Sequence, residues 1–181
     1  MNLPNLLTLT RVLLIPVFVI LILNKSFGWA IITFGIAGIT DGIDGLIARL
    51  THQRTELGAY FDPIADKLLL TSAFIILAIS DSVPAWLTVI VITRDMVILI
   101  GILVMFLTNY RPKIKPSILS KLTTVFQILT ILVVLIDAHY AMIRLIPAIV
   151  PAIAIFVTAV FTVLSGFHYI YVGAHMLNGK K

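Results

Sequence analysis

Residues 41–66 read DGIDGLIARLTHQRTELGAYFDPIAD, and they set four carboxylates, Asp41, Asp44, Asp62 and Asp66, into a chain that is otherwise apolar. The spacing is DxxDGxxAR, eight residues, then GxxxDxxxD. A charge in hydrocarbon costs about 2.5–3.5 kcal/mol even on lenient insertion scales, so an ionisable cluster within a membrane chain marks a functional site. These four are half of the 8 acidic residues; Glu56, Asp81, Asp95 and Asp137 occur singly.

Around this stretch, 60% of the 181 residues are hydrophobic and the mean hydropathy is +1.13, well outside a soluble composition. The reading is an all-α integral membrane protein, one domain over 1–181. Apolar runs of about 20 residues are needed to span a bilayer. Breaks at 24–26, 49–57, 80–84, 108–116 and 137–139 leave six such runs. A six-transmembrane-helix bundle follows, with helices expected at 6–23, 28–50, 62–80, 84–107, 117–137 and 142–173. Arg11 lacks the flanks of a secretory signal, and no small-residue cleavage site follows the first apolar run, so 12–23 reads as a span.

With the N-terminus inside, the cytoplasmic segments hold Arg11, Arg49, Arg54, Lys67, Arg111, Lys113, Lys115, Lys121, Lys180 and Lys181, and the outer loops hold only Lys25 and Arg144. That asymmetry orients the bundle with the carboxylates at the cytoplasmic face. The basic residues form short juxtamembrane groups without a basic helix or an aromatic platform, so nucleic acid is not the expected partner; anionic headgroups or phosphorylated substrates are. With no Cys, thiolate chemistry and disulfides are excluded, and any metal must take oxygen or imidazole ligands.

Residues three or four apart share a helix face. Asp41, Asp44, Gly45, Ala48 and Arg49 therefore form one stripe, and Asp62 and Asp66 another. Two antiparallel helices across a short loop would bring the stripes together. Packed carboxylates repel unless dications lie between them. Two Mg²⁺ or Mn²⁺ ions are the simplest resolution. Small Gly45 and Ala48 let a large ligand approach, and Arg49 offers a planar fork suited to phosphate. The chemistry indicated is phosphoryl transfer, with one carboxylate taking the proton of an incoming hydroxyl. The competing reading makes Asp62 a helix N-cap with Pro63 at the first helical position; it leaves Asp41 and Asp44 unexplained.

Position for position, residues 41–66 resemble the signature of the CDP-alcohol phosphatidyltransferase family, and the opening PNLLTLTRVLLIP is similar to the start of family members that use glycerol 3-phosphate. The resemblance implies that Asp41, Asp44, Asp62 and Asp66 bind two divalent cations and that Asp66 is also the general base. It implies that Asn5, Thr8, Asp41, Asp44, Gly45, Ala48, Arg49, Thr55 and Gly58 surround the CDP group. The expected reaction moves the phosphatidyl group of CDP-diacylglycerol to sn-glycerol 3-phosphate, in a homodimer in the bacterial cell membrane. Inositol or its phosphate, serine and phosphatidylglycerol are the alternative acceptors. A metal-coupled transporter is the alternative class, disfavoured because the acids stop at one level of the bundle.

Arg94 lies midway along the fourth apolar run, where an arginine needs a partner. It is either an anchor for the acceptor phosphate or a structural ion pair. Asp95 is the next residue and sits roughly 100° around an ideal helix, which turns it toward another face. Lys121, beside Thr123, Thr124 and Gln127, together with Arg111 and Lys113, completes the expected acceptor wall. The family commonly has a Lys-rich Lys-Thr pattern here, where this chain has Leu122 and Thr123. His52 and the other three histidines form no ligand set by spacing.

Overall fold

Each of the six apolar runs folds as a helix: α1 (Leu3–Leu23), α2 (Phe27–Leu50), α3 (Glu56–Ile79), α4 (Ala85–Leu107), α5 (Ile118–His139) and α6 (Ile149–Asn178). The computed structural model describes the backbone of residues 3–50, 56–107, 117–141 and 145–178, and the side chains of residues 10–40, 67–101, 117–141 and 145–173. Among the described residues every regular element is helical.

The turns after α1 and α3 are built alike. Ser26 N–H donates to the Leu21 carbonyl and Lys25 N–H to that of Ile22, both at 2.8 Å. Ser82 and Asp81 repeat the pair onto Leu77 and Ala78 at 2.9 and 3.2 Å. This is the Schellman arrangement, which needs a left-handed residue just past the helix. Here Lys25 and Asp81 take that conformation, each at φ 55°, in place of the usual glycine. At the start of α5, Ser117 (φ −65°, ψ 149°) accepts from Ser120 N–H through its side chain, closing a cap.

Two helix starts differ from the sequence expectation. α3 begins at Glu56, six residues before the expected start at 62, so Asp62 and Pro63 lie inside it. The N-cap explanation of Asp62 is thereby removed. α6 begins at Ile149 instead of 142, because Pro147 cannot donate a helical hydrogen bond and disfavours helix in the residue before it. Pro151 falls within the first turn of α6, where its missing N–H has no cost.

α1 packs against both α2 and α3, α2 also against α5, α3 against α4 and α5, and α6 against α4 and α5. The pairs form a ring. Thr88 Oγ1 donates to the Phe74 carbonyl at 3.1 Å, and Lys67 pairs with Asp95. The contacts run in opposite residue order along α3 and α4, which makes those helices antiparallel. Between α5 and α6 a threonine ladder does the same: Thr123 Oγ1 donates to the Phe161 carbonyl (3.1 Å), Thr130 to Ala154 (3.0 Å), Thr158 to Phe126 (3.0 Å), and the Thr130 and Thr158 hydroxyls meet at 2.7 Å. In an apolar surrounding such hydroxyls fix the register of helices that shape alone leaves loose.

Phe18, Ile22, Phe74, Leu77, Leu87, Ile131 and Leu135 are fully buried at the end of the bundle remote from the 41–66 stretch. Outward faces stay apolar: Phe156 and Phe167 are 66% and 68% exposed. Ile118–His139 and Ile149–Gly173 are long and apolar enough to cross a membrane, and shorter apolar stretches occur at Thr10–Leu23, Phe27–Thr40 and Lys67–Ile79. Large apolar side chains at this density on the surface belong to a membrane protein.

Candidate active site

The backbone sets Asp41, Asp44, Gly45, Ala48 and Arg49 in the closing turns of α2, and Gly58, Asp62 and Asp66 in the first half of α3. Asn5 and Thr8 lie in the opening turns of α1, the helix that packs against both. The side chains of all these residues fall outside the described residues, as do Thr55, His52, Arg111 and Lys113 altogether. Two helices thus each contribute a pair of acids spaced for one face. The donor set is all oxygen, which suits a hard dication. Among the described residues no group of three His, Cys, Asp or Glu is placed to hold a metal.

Side-chain geometry resolves one residue beyond Asp66. Lys67 on α3 forms a salt bridge with Asp95 Oδ1 on α4. The same oxygen accepts from Arg94 Nη1 at 2.7 Å. Asp95 therefore does not turn away from Arg94: the long arginine side chain folds back to its neighbour's carboxylate, which adjacent backbone positions on an ideal helix do not anticipate. Arg94 Nη2 donates to Ser120 Oγ on α5 at 2.6 Å and to Ser165 Oγ on α6 at 3.0 Å, and Nε also reaches Ser165 at 3.3 Å. The guanidinium lies 5.9 Å from the centroid of the Tyr169 ring. A buried arginine is tolerable only with its donors satisfied and its charge compensated, and this network supplies both.

The result joins four helices, α3 to α4 through Lys67 and Asp95, and α4 to α5 and α6 through Arg94. The side chains of Arg94 and Asp95 are 3% and 7% exposed. Asp95 Oδ2 is buried without a hydrogen-bond partner among the described residues. Among the described residues two cations share one carboxylate, Lys67 and Arg94 on Asp95. Of the other expected acceptor residues, Lys121 is exposed on α5, while Thr123 and Gln127 are buried and turned toward the bundle. Thr123 is bonded to the Leu119 and Phe161 carbonyls. None of Lys67, Ser120, Ser165 and Tyr169 is among the site residues expected from the sequence. The available signal was Lys67 following the last motif aspartate and two serines interrupting apolar helices.

Residues 1–164 match the model of the CDP-alcohol phosphatidyltransferase family. A Bacillus subtilis protein named CDP-diacylglycerol–glycerol-3-phosphate 3-phosphatidyltransferase is 34% identical over 184 residues, covering 93% of each chain. A probable phosphatidylglycerophosphate synthase of Mycobacterium tuberculosis is 40% identical over 124 residues, 64% of this chain and 56% of its own. A CMP-forming cardiolipin synthase of Rattus norvegicus is 34% identical over 149 residues, 72% of this chain and 48% of its own. The chain spans about half the length of these last two relatives.

Proposed function

The chain belongs to the CDP-alcohol phosphatidyltransferase family, and from that premise we propose that it transfers the phosphatidyl group of CDP-diacylglycerol to sn-glycerol 3-phosphate, giving phosphatidylglycerol phosphate and CMP. The observation that carries the acceptor is the similarity, along nearly the whole length of both chains, to the Bacillus subtilis protein whose name states that reaction. The positive cluster of Lys67 and Arg94 around Asp95 agrees with a phosphorylated acceptor. The cardiolipin synthase relatives are the reason to keep phosphatidylglycerol as the second acceptor.

In this reading Asp41, Asp44, Asp62 and Asp66 hold two Mg²⁺ or Mn²⁺ ions, which neutralise charge on the diphosphate when bound. Their all-oxygen donor set, paired on α2 and α3, is what fits such ions. Asn5, Thr8, Gly45, Ala48, Arg49, Thr55 and Gly58 receive the CDP group. Asp66 accepts the proton of the primary hydroxyl of glycerol 3-phosphate. The hydroxyl oxygen bonds to the phosphatidyl phosphorus as the bond from that phosphorus to the CMP oxygen breaks, and CMP leaves with the electron pair. Arg94, Lys121, Arg111 and Lys113 supply positive potential around the acceptor. All six helices cross the membrane of a bacterial cell, the aspartates face the cytoplasm, and the enzyme is a homodimer. Positive-inside asymmetry supports the orientation; family resemblance supports the dimer.

Purified protein supplied with Mg²⁺, CDP-diacylglycerol and each acceptor in turn tests the reading by CMP release. Turnover with glycerol 3-phosphate is expected. CMP release with phosphatidylglycerol, inositol phosphate or serine but not with glycerol 3-phosphate overturns the acceptor.

A further inference from the structure

We infer that Lys67 is the residue that contacts the acceptor's phosphate, with Asp95 as its positioning residue, and that this pair selects a phosphomonoester acceptor over a neutral or zwitterionic one. The inference rests on the phosphatidyl-transfer reading and adds a residue that neither the motif nor the relatives' names assign.

Two cations meet at Asp95, and they are not equivalent. Arg94 has Nε, Nη1 and Nη2 all engaged by Asp95, Ser120 and Ser165, and its side chain is 3% exposed. An incoming phosphate would have to break bonds that hold α4 to α5 and α6. Lys67 has three ammonium donors, and among the described residues Asp95 is its one partner. A third of its side chain, 33%, reaches the surface. Of the pair, only Lys67 has capacity to contact a new anion without dismantling the network. Lysine serves phosphate in this way as a compact point charge.

Its position suits the role. Lys67 follows Asp66, the residue proposed to take the acceptor's proton, so their Cα atoms are about 3.8 Å apart. Their side chains leave the helix roughly 100° apart, and a three-carbon acceptor with a hydroxyl at one end and phosphate at the other is long enough to bridge that divergence. Asp95 holds the Lys67 ammonium from the α4 side through Oδ1 and is itself held by Arg94. Among the described residues a single carboxylate faces two cations, and an anion at Lys67 would complete that balance. Neutral acceptors gain nothing from that excess.

The test uses the full-length chain in detergent with saturating CDP-diacylglycerol and varied glycerol 3-phosphate. Lys67→Met is expected to raise the acceptor KM at least tenfold, with kcat and the CDP-diacylglycerol KM within about twofold of wild type. Lys67→Arg is expected to restore most of the affinity. Competitive inhibition by inorganic phosphate should weaken in parallel in Lys67→Met, and Asp95→Glu should retain more acceptor affinity than Asp95→Asn. An active Lys67→Met enzyme with an unchanged acceptor KM overturns the inference, as does equal damage to both KM values that Lys67→Arg does not rescue. Should Lys67→Met not fold, Lys67→Gln is read by the same ratio. Wild type that releases no CMP with any acceptor sinks the phosphatidyl-transfer reading, an outcome distinct from an active enzyme indifferent to Lys67.

Discussion

Ser165 on α6 accepts from two nitrogens of Arg94 on α4, Nη2 at 3.0 Å and Nε at 3.3 Å. One small hydroxyl thereby completes the coordination of a buried guanidinium and joins α4 to α6. Ser165→Ala leaves buried N–H groups unpaired, a loss of about 1–3 kcal/mol. Thermal unfolding in detergent should show the drop. No change in midpoint would mean that Ser165 is dispensable to the frame.

A second prediction concerns the turn after α1. Lys25 adopts φ 55° in a Schellman cap, a conformation that carries a steric penalty for a side chain with Cβ and none for glycine. Lys25→Gly is expected to stabilise the fold by up to about 1 kcal/mol, set against the entropy glycine loses on folding. A clear fall in the unfolding midpoint would show that the lysine side chain contributes more than its backbone strain costs.

Gly28 is a packing position. A Cβ there would lie 2.8 Å from Cε1 of His139, closer than van der Waals contact allows. His139 in turn stacks edge-on against Tyr140, with ring centroids 4.6 Å apart. Gly28→Ala should displace the imidazole and loosen the contact of α2 with α5 by about 1 kcal/mol. His139→Ala in the same chain is expected to recover that loss, and a double variant no more stable than Gly28→Ala would place the strain elsewhere.

For the chemistry, Asp66→Asn should lower kcat by at least a hundredfold, within the range that a positioned base contributes, while CDP-diacylglycerol binding stays measurable. Stripping with EDTA should abolish turnover, and Mg²⁺ or Mn²⁺ should restore it. Near-normal turnover of Asp66→Asn would remove it as the base, and full activity in EDTA would remove the dications.

Much of the architecture was legible before any coordinates. Hydrophobic runs and their breaks fix the number of helices, because each run either fills a span or is interrupted by residues too polar to remain in it. Period and spacing put Asp41 and Asp44 on one helix and Asp62 and Asp66 on the next. Helix starts were harder to read. Asp62-Pro63 carries a strong start signal, yet α3 begins at Glu56; a local cap preference by itself does not decide where a helix starts. The αL positions at Lys25 and Asp81 were also hidden, since neither residue advertises that conformation as glycine does.

Read along the chain alone, the residues establish a series of apolar helices, a motif that sets half of the acids on two consecutive helices, and the family, because composition and fixed spacing are local properties of the chain. Only the tertiary structure decided what Arg94 and Lys67 do with their charges. Arg94 meets Asp95 of its own helix, Ser120 of α5 and Ser165 of α6, while Lys67 of α3 meets Asp95, and no periodicity within one helix specifies which side chains of other helices will meet a given cation. That choice is made by helix packing and by the need to satisfy a buried charge, which act across the bundle and not along the chain.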